Sequence, residues 1–149
     1  MESPKDLGFS FSVTTAVEEP RTPTPRELAI LKFLWENGPS SVRVVHRGLL
    51  RNESVGKELA YNTVQTLLRI MEEKGLVTHH VEGRTFVYTA RYSRDESARR
   101  FLDRVFDGAA SQLMVSLLRT ETISEQELDE LHELIRQARK ARQSREGRR

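Results

Sequence analysis

The fold is decided by residues 59–89, which read LAYNTVQTLLRIMEEKGLVTHHVEGRTFVYT. The first half places four apolar residues at the i, i+3, i+4, i+7 spacing of one helical face. These residues are Val64, Leu67, Leu68 and Met71. The second half alternates apolar and polar residues on both sides of Glu82 and Gly83, which is typical of two strands joined by a tight turn. Gly75 lies between the halves and is suited to end the helix, because glycine readily adopts the left-handed conformation. The stretch predicts a helix that leads directly into a small β-hairpin.

The opposite face of this helix is polar but carries few of the Glu and Lys residues that usually cover a solvated helix. Amides, hydroxyls and a guanidinium are groups that can pair with base edges and phosphates in a major groove. Arg84, at the hairpin tip, could reach a phosphate or an adjacent minor groove, or it could simply keep an exposed hairpin soluble. The predicted DNA-contacting residues are Tyr61, Asn62, Thr63, Gln65, Thr66, Arg69 and Arg84.

Two further helices are predicted before this stretch. Residues 24–27, Thr-Pro-Arg-Glu, form a capping box with proline at the first helical position, and residues 37–39, Asn-Gly-Pro, end that helix. Ser40 or Ser41 can cap a second, short helix. Three helices followed by a hairpin is the order of a winged helix-turn-helix, expected over residues 23–92 after a disordered arm at 1–22.

Residues 93–138 predict a second region of three short amphipathic helices, two of which begin with capping boxes at Ser93 and Ser124. Three short helices are too small to form a stable core of their own. We therefore expect two copies to pair here as a homodimer. The alternative is that these helices pack onto the winged helix of the same chain. A basic tail, residues 139–149, either extends the last helix or is disordered. The predicted dimerisation residues are Phe101, Leu102, Val105, Leu117, Leu128, Leu131 and Ile135.

Charge is segregated along the chain although the net charge is only +2. The net charge is −3 over residues 1–20, +4 over 21–92, −5 over 93–134 and +6 over 135–149. The basic second segment coincides with the predicted winged helix, as phosphate binding requires. The acidic third segment is better suited to binding protein. The basic tail predicts either a solubilising role or sequence-independent attachment to DNA.

Composition and motifs exclude several classes of protein. The 149 residues include no cysteine, which fits a reducing compartment and removes disulfides and thiolate metal sites. No apolar run is long enough to cross a membrane and the first residues do not resemble a secretory signal, so a cytoplasmic protein without membrane insertion is expected. No catalytic motif is present, so we expect neither enzyme activity nor a cofactor. His79 and His80 are adjacent, but strand neighbours point to opposite faces, so no metal site is predicted.

Three groups of residues together resemble the BlaI/MecI/CopY family of bacterial repressors, of the penicillinase repressor type. They are residues 60–68, AYNTVQTLL; residues 73–77, EKGLV; and residues 82–84 with 87–88, EGR and VY. The start of the first helix at residues 24–27, with Trp35 and the Gly38-Pro39 stop, resembles the first helix of that family. The likeness covers about Thr24 to Ile135. It implies a homodimer with an N-terminal winged helix and a C-terminal helical dimerisation region, which represses promoters through an inverted-repeat operator in double-stranded DNA.

The chain departs from the family pattern in two ways. Ile70 stands where relatives often have an arginine, so either Arg69 makes that contact or one phosphate anchor is missing. The copper-responsive branch carries a C-terminal cysteine cluster, which this chain lacks.

In the penicillinase-repressor branch, a membrane sensor metallopeptidase pathway relieves repression by cleavage in the first helix of the dimerisation region. Arg100 and Phe101 occupy the comparable place, although the arginine differs from the residue expected there.

Two other functions stay open at this point. A winged-helix interaction module would use the same surface to bind protein and would not bind DNA in a salt-dependent way. A ligand-sensing regulator of the MarR type would need an apolar pocket between its domains.

Overall fold

The computed structural model describes residues 22–52 and 59–148, and it divides into two units, one ending at Ser97 and one beginning at Ala98. Apart from Thr22, the predicted arm lies outside the described residues. The first unit contains α1 (Pro25–Asn37), β1 (Ser40–Ser41), α2 (Val42–Leu49), α3 (Tyr61–Glu73), β2 (Val77–Glu82) and β3 (Thr85–Ala90). The remaining helices are α4 (Arg94–Phe106), which begins in the first unit, α5 (Ala110–Arg119) and α6 (Glu125–Glu146).

The helix starts follow the capping signals in the sequence. The Thr24 hydroxyl accepts a hydrogen bond from the Glu27 N–H, and the Glu27 carboxylate accepts one from the Thr24 N–H, so both halves of the predicted capping box form. Of the two serines proposed to cap α2, Ser41 does so, accepting from the Val44 N–H. The end of α3 is fixed by Gly75 at φ +81°, as predicted.

The sheet has three antiparallel strands in the order β1-β3-β2. β2 and β3 form the predicted hairpin, with Glu82 opposite Thr85 and Gly83 at φ +65° in the turn. β1 is a two-residue strand that the sequence did not predict, in which Ser40 lies opposite Tyr88 of β3. It attaches the beginning of α2 to the hairpin.

An apolar core lies among α1, α2, α3 and the sheet. Each helix gives one face to it, as the 3.6-residue spacing requires. Trp35 lies at the edge of this core and donates its indole N–H to the Tyr92 carbonyl oxygen at 2.8 Å, which fixes the chain where it leaves β3. The largest fully buried side chains include Ile30, Leu31, Leu59, Leu68, Met71, Leu76 and Tyr92.

Helices α4, α5 and α6 differ from the winged helix because none of their side chains is buried. Ser93 forms the predicted capping box with Glu96, and Ser124 caps α6. Asp107 and Gly108, at φ +51° and +81°, separate α4 from α5. α6 continues to Glu146, so the predicted tail forms the end of this helix as far as that residue.

The observed architecture confirms the predicted fold class, mainly α with a small β-wing and an N-terminal winged helix. In residues 22–52 and 59–148, no helix combines the length and the hydropathy that a bilayer crossing needs.

Candidate nucleic-acid interface

Helix α3 presents its polar face outward, as the sequence predicted. Val64, Leu68 and Met71 are fully buried and hold the helix against the core. Thr63 is half-buried, whereas Asn62, Gln65, Thr66 and Arg69 are exposed. The buried stripe therefore fixes the rotation of α3 and leaves a continuous row of amide, hydroxyl and guanidinium groups available to a partner.

Tyr61 is held at the start of α3 by the neighbouring helix. Its ring makes an edge-on contact with the imidazole of His46, with 5.9 Å between the ring centroids. The His46 Nε2 atom lies 3.0 Å from the Leu59 carbonyl oxygen, which restrains that imidazole in turn. These two contacts restrain the ring of Tyr61 at the start of α3.

A groove of about 540 Å³ lies between α3, the beginning of α2 and the wing. Three guanidinium groups line it, one from each of these elements: Arg43 of α2, Arg69 of α3 and Arg84 of the wing turn. Within residues 22–52 and 59–148 none of the three forms an ion pair, so their positive charge is not neutralised there. The complete lining is Ser41, Val42, Arg43, Tyr61, Gln65, Arg69, Arg84, Thr85, Phe86 and Tyr88.

The wing is also attached to α3 by a polar contact. The His79 Nδ1 atom of β2 lies 2.7 Å from the Glu72 carboxylate of α3. The His79 imidazole also stacks on Phe86, with ring centroids 4.3 Å apart, and lies next to Tyr88. These contacts fix the angle between the wing and α3.

Tyr88 is one of the residues that line the groove. Burial raises the pKa of Tyr88, the nearby Glu72 carboxylate raises it further, and Arg69 opposes both effects. The phenol therefore stays protonated at neutral pH and can donate a hydrogen bond.

The structure brings four of the seven predicted DNA-contacting residues to the groove, namely Tyr61, Gln65, Arg69 and Arg84. Asn62, Thr63 and Thr66 do not line it but lie on the same outer side of α3. Whether any of the seven contacts DNA stays a prediction.

Sequence reasoning missed Arg43 and Phe86. Arg43 follows the buried Val42 on α2, so helical spacing alone indicates that its side chain points away from the core. Phe86 continues the apolar alternation of the hairpin, yet it is 48% exposed, and its cross-strand partner Val81 is 57% exposed. The outer half of the apolar face of the wing is therefore on the surface, next to the arginines.

Three of the four histidines contact other groups of the protein. His46 contacts a backbone carbonyl, His79 pairs with Glu72 and His80 with Glu82. The described part of the chain contains no group of three His, Cys, Asp or Glu residues that could hold a metal ion.

The predicted dimerisation residues lie on α4, α5 and α6. Phe101, Val105 and Ile135 are 43%, 52% and 55% exposed. Leu128 is also exposed, and Leu102, Leu117 and Leu131 are half-buried. Arg100 and Phe101, the predicted cleavage position, lie in the middle of α4.

A sequence model described as penicillinase repressor matches residues 23–137. The penicillinase repressor of Bacillus licheniformis is 28% identical over 109 residues, covering 70% of this chain and 82% of that protein. The transcriptional regulator BlaI of Mycobacterium tuberculosis is 37% identical over 71 residues, covering 47% of this chain and 49% of that one. The solution structure of the DNA-binding domain of the repressor BlaI aligns with 53% of this chain and 92% of that domain, at 26% identity and a TM-score of 0.45.

Proposed function

Since the chain belongs to the penicillinase repressor family, whose members are DNA-binding transcriptional repressors rather than enzymes, we propose that it represses transcription as a homodimer bound to an inverted-repeat operator. This membership confirms the resemblance that the sequence motifs indicated. We expect the protein to act in the cytoplasm, where its operator would be.

One observation carries the proposal for DNA: the exposed polar face of α3 lies beside a groove lined by Arg43, Arg69 and Arg84. An α-helix fits the major groove of B-DNA, where amide side chains pair with base edges. Guanidinium groups flanking such a helix suit the phosphates on either side, which position the protein without reading sequence. We assign Gln65 and Thr66 to base contacts and the three arginines to phosphates. The exposed side chain of Phe86 could pack against a deoxyribose of the bound DNA, next to the phosphate that Arg84 contacts.

Three exposed apolar surfaces support the homodimer. α4, α5 and α6 each carry apolar side chains on one face, and none of these side chains is buried in a single chain. Burial of this apolar surface against a second copy lowers the free energy by about 25 cal/mol for each Å² of apolar area removed from water. A two-fold dimer presents two α3 helices, so its operator would contain two half-sites related by the same symmetry.

We further propose that a membrane sensor metallopeptidase pathway relieves repression. The family resemblance implies cleavage at Arg100 and Phe101, and these residues are helical. The bond would become accessible to a protease only if α4 unwinds locally.

The DNA-binding proposal is tested by selecting duplexes from a random-sequence library with the full chain. We expect enrichment of one site with two symmetric half-sites. Gln65→Ala should then relax preference at one base pair in each half-site by roughly 1 to 3 kcal/mol, because a paired amide is lost. Gln126→Ala, an exposed glutamine on α6, is the matched control and should leave the ranking of sites unchanged.

Failure to enrich any duplex would refute DNA binding and favour a protein-interaction role for the same surface. An unchanged ranking with Gln65→Ala would mean that α3 does not read this base pair.

A further inference from the structure

The last turns of α6 form a strongly basic surface that the proposed function does not explain. The family match ends at residue 137, but α6 continues as a helix to Glu146. We call residues 139–148 the basic extension. It contains five cationic residues, Arg139, Lys140, Arg142, Arg145 and Arg148, and one carboxylate, Glu146.

The basic extension lacks partners in the part of the chain that the structure describes. Every side chain in it is exposed, and none of the five cations forms an ion pair with another described residue. The last ion pair on α6 joins Arg136 to Glu133 at 2.8 Å. Cations three residues apart in the extension then repel one another, which costs a few tenths of a kcal/mol for each pair. Only the final turn benefits from the helix dipole.

The apolar stripe of α6 ends where the basic extension begins. Leu128, Leu131, Ile135 and Ala138 follow the spacing of one helical face. Arg142 and Arg145 stand at the next positions of that face. Residues 139–148 contain no apolar side chain larger than that of Ala141, so this segment cannot supply the apolar centre that a protein interface needs. A polyanion requires only charge.

We propose that the basic extension is a second DNA-binding surface, which binds the phosphates of duplex DNA independently of sequence. The inference rests on the proposed function, because the winged helix would bring the chain to DNA and so raise the local concentration of phosphates around the extension. Each phosphate contact releases condensed counterions, so the extension increases both affinity for any duplex and the dependence of that affinity on salt. It does not alter the preferred operator.

The test compares three full-length proteins on two duplexes of equal length, the selected operator and a scrambled sequence, over a series of salt concentrations. One variant replaces all five cations by glutamine (R139Q, K140Q, R142Q, R145Q and R148Q). The matched control keeps the charges (R139K, R142K, R145K and R148K). Circular dichroism and sedimentation verify that both variants remain folded and keep the oligomeric state of the wild type.

If two cations per subunit contact phosphates, the slope of log affinity against log salt should become shallower by about 3 to 4 units in the glutamine variant. Affinity for the scrambled duplex should fall at least tenfold at low salt, while the ranking of operator variants stays the same. The lysine control should keep the wild-type slope, because lysine neutralises phosphate equally well as a point charge.

Equal slopes for the wild type and the glutamine variant would overturn the inference while leaving the repressor proposal intact. Equal slopes together with weaker self-association would instead assign the cations to the acidic segment of a second copy, which also overturns the inference. If the wild type binds neither duplex at any salt concentration, the repressor proposal fails first and the inference fails with it.

Discussion

Glu27 has a second role besides capping α1. It is 1% exposed, and both of its carboxylate oxygens accept hydrogen bonds at 2.9 Å from the ammonium group of Lys74. The Thr24 N–H donates to the same carboxylate. Full pairing compensates for the desolvation of the charge, which would otherwise cost several kcal/mol. The pair thus joins the first turn of α1 to the end of α3.

Removing the ammonium group while keeping the side-chain stem should destabilise the protein. We expect Lys74→Met to lower the free energy of unfolding by about 3 kcal/mol, because Glu27 stays buried without its charge partner. Urea denaturation measures this loss. Lys32→Met, which removes an exposed cation from α1, is the control and should change stability by less than about 0.5 kcal/mol.

The double variant Glu27→Gln, Lys74→Met should recover part of the lost stability, since glutamine is neutral and can still accept from the Thr24 N–H. A loss below about 1 kcal/mol for Lys74→Met would mean that water replaces the ammonium group and that the pair contributes little.

The sequence could predict the cap at Glu27 but not the ion pair. A capping box is complete within four residues, so its pattern is visible locally. Lys74 is 47 positions away and meets Glu27 only after α1 and α3 have packed together. The exposure of Phe86 was hidden for a similar reason, because alternation indicates which face of a strand a residue shares but not where that face leaves the core.

At the scale of helices, α1 and α2 approach each other closely at Gly48. A methyl group at this position would overlap the ring of Phe33, lying 2.6 Å from its Cδ2 atom. Phe33 is half-buried and packs against the core, which restricts the movement of its ring. The glycine therefore allows the two helices to pack at the observed distance.

Gly48→Ala should destabilise the protein by roughly 1 to 3 kcal/mol through overpacking. Alanine ordinarily stabilises a helix interior by up to about 1 kcal/mol relative to glycine, so the expected sign is the opposite of the usual one. Thermal or urea denaturation measures the change.

The same substitution made in a Phe33→Leu background provides the control. With the ring removed, Gly48→Ala should be neutral or stabilising. Stabilisation by Gly48→Ala in the wild-type background would show that the ring of Phe33 moves aside easily and that the close approach has no energetic consequence.

Helices were easier to predict than strands at this scale. The beginnings of α1, α2, α4 and α6 are marked by Thr or Ser caps, which act through nearby backbone groups. β1 contains only Ser40 and Ser41, and it exists because Tyr88 and Val87 lie opposite. A strand this short has no periodicity of its own that a sequence could display.

For the whole molecule, the contrast between a well-packed winged helix and three helices without a buried side chain leads to a prediction of assembly. We expect the protein to be a dimer at micromolar concentration. Leu131→Asp combined with Ile135→Asp should give monomers, because each charge placed in an apolar interface costs several kcal/mol. Sedimentation equilibrium measures the change, and operator affinity should fall with it.

The control adds the same two charges to the opposite face of α6, as Gln126→Asp with Gln137→Asp, and should remain dimeric. A wild-type protein that sediments as a stable monomer would contradict the prediction.

At this scale the sequence predicted the order of elements but not the groove. The order follows from local patterns, each confined to one helix or hairpin. The groove depends on Arg43, Arg69 and Arg84, which come from three elements and meet only in the folded domain. Arg69 and Arg84 could be predicted as DNA-contacting residues because each belongs to a recognisable pattern, the polar helix face and the hairpin turn. Arg43 belongs to no such pattern.

The position of Trp35 gives the protein an optical reporter. It is the only tryptophan in the sequence, so intrinsic emission excited at the red edge comes from this indole alone. Its N–H is bonded to the Tyr92 carbonyl, and the guanidinium of Arg94, in the first turn of α4, lies 5.4 Å from its ring centre. A nearby cation and a hydrogen bond both alter the emission of an indole. Fluorescence without any attached dye therefore follows the start of α4, the point at which the chain leaves the winged helix.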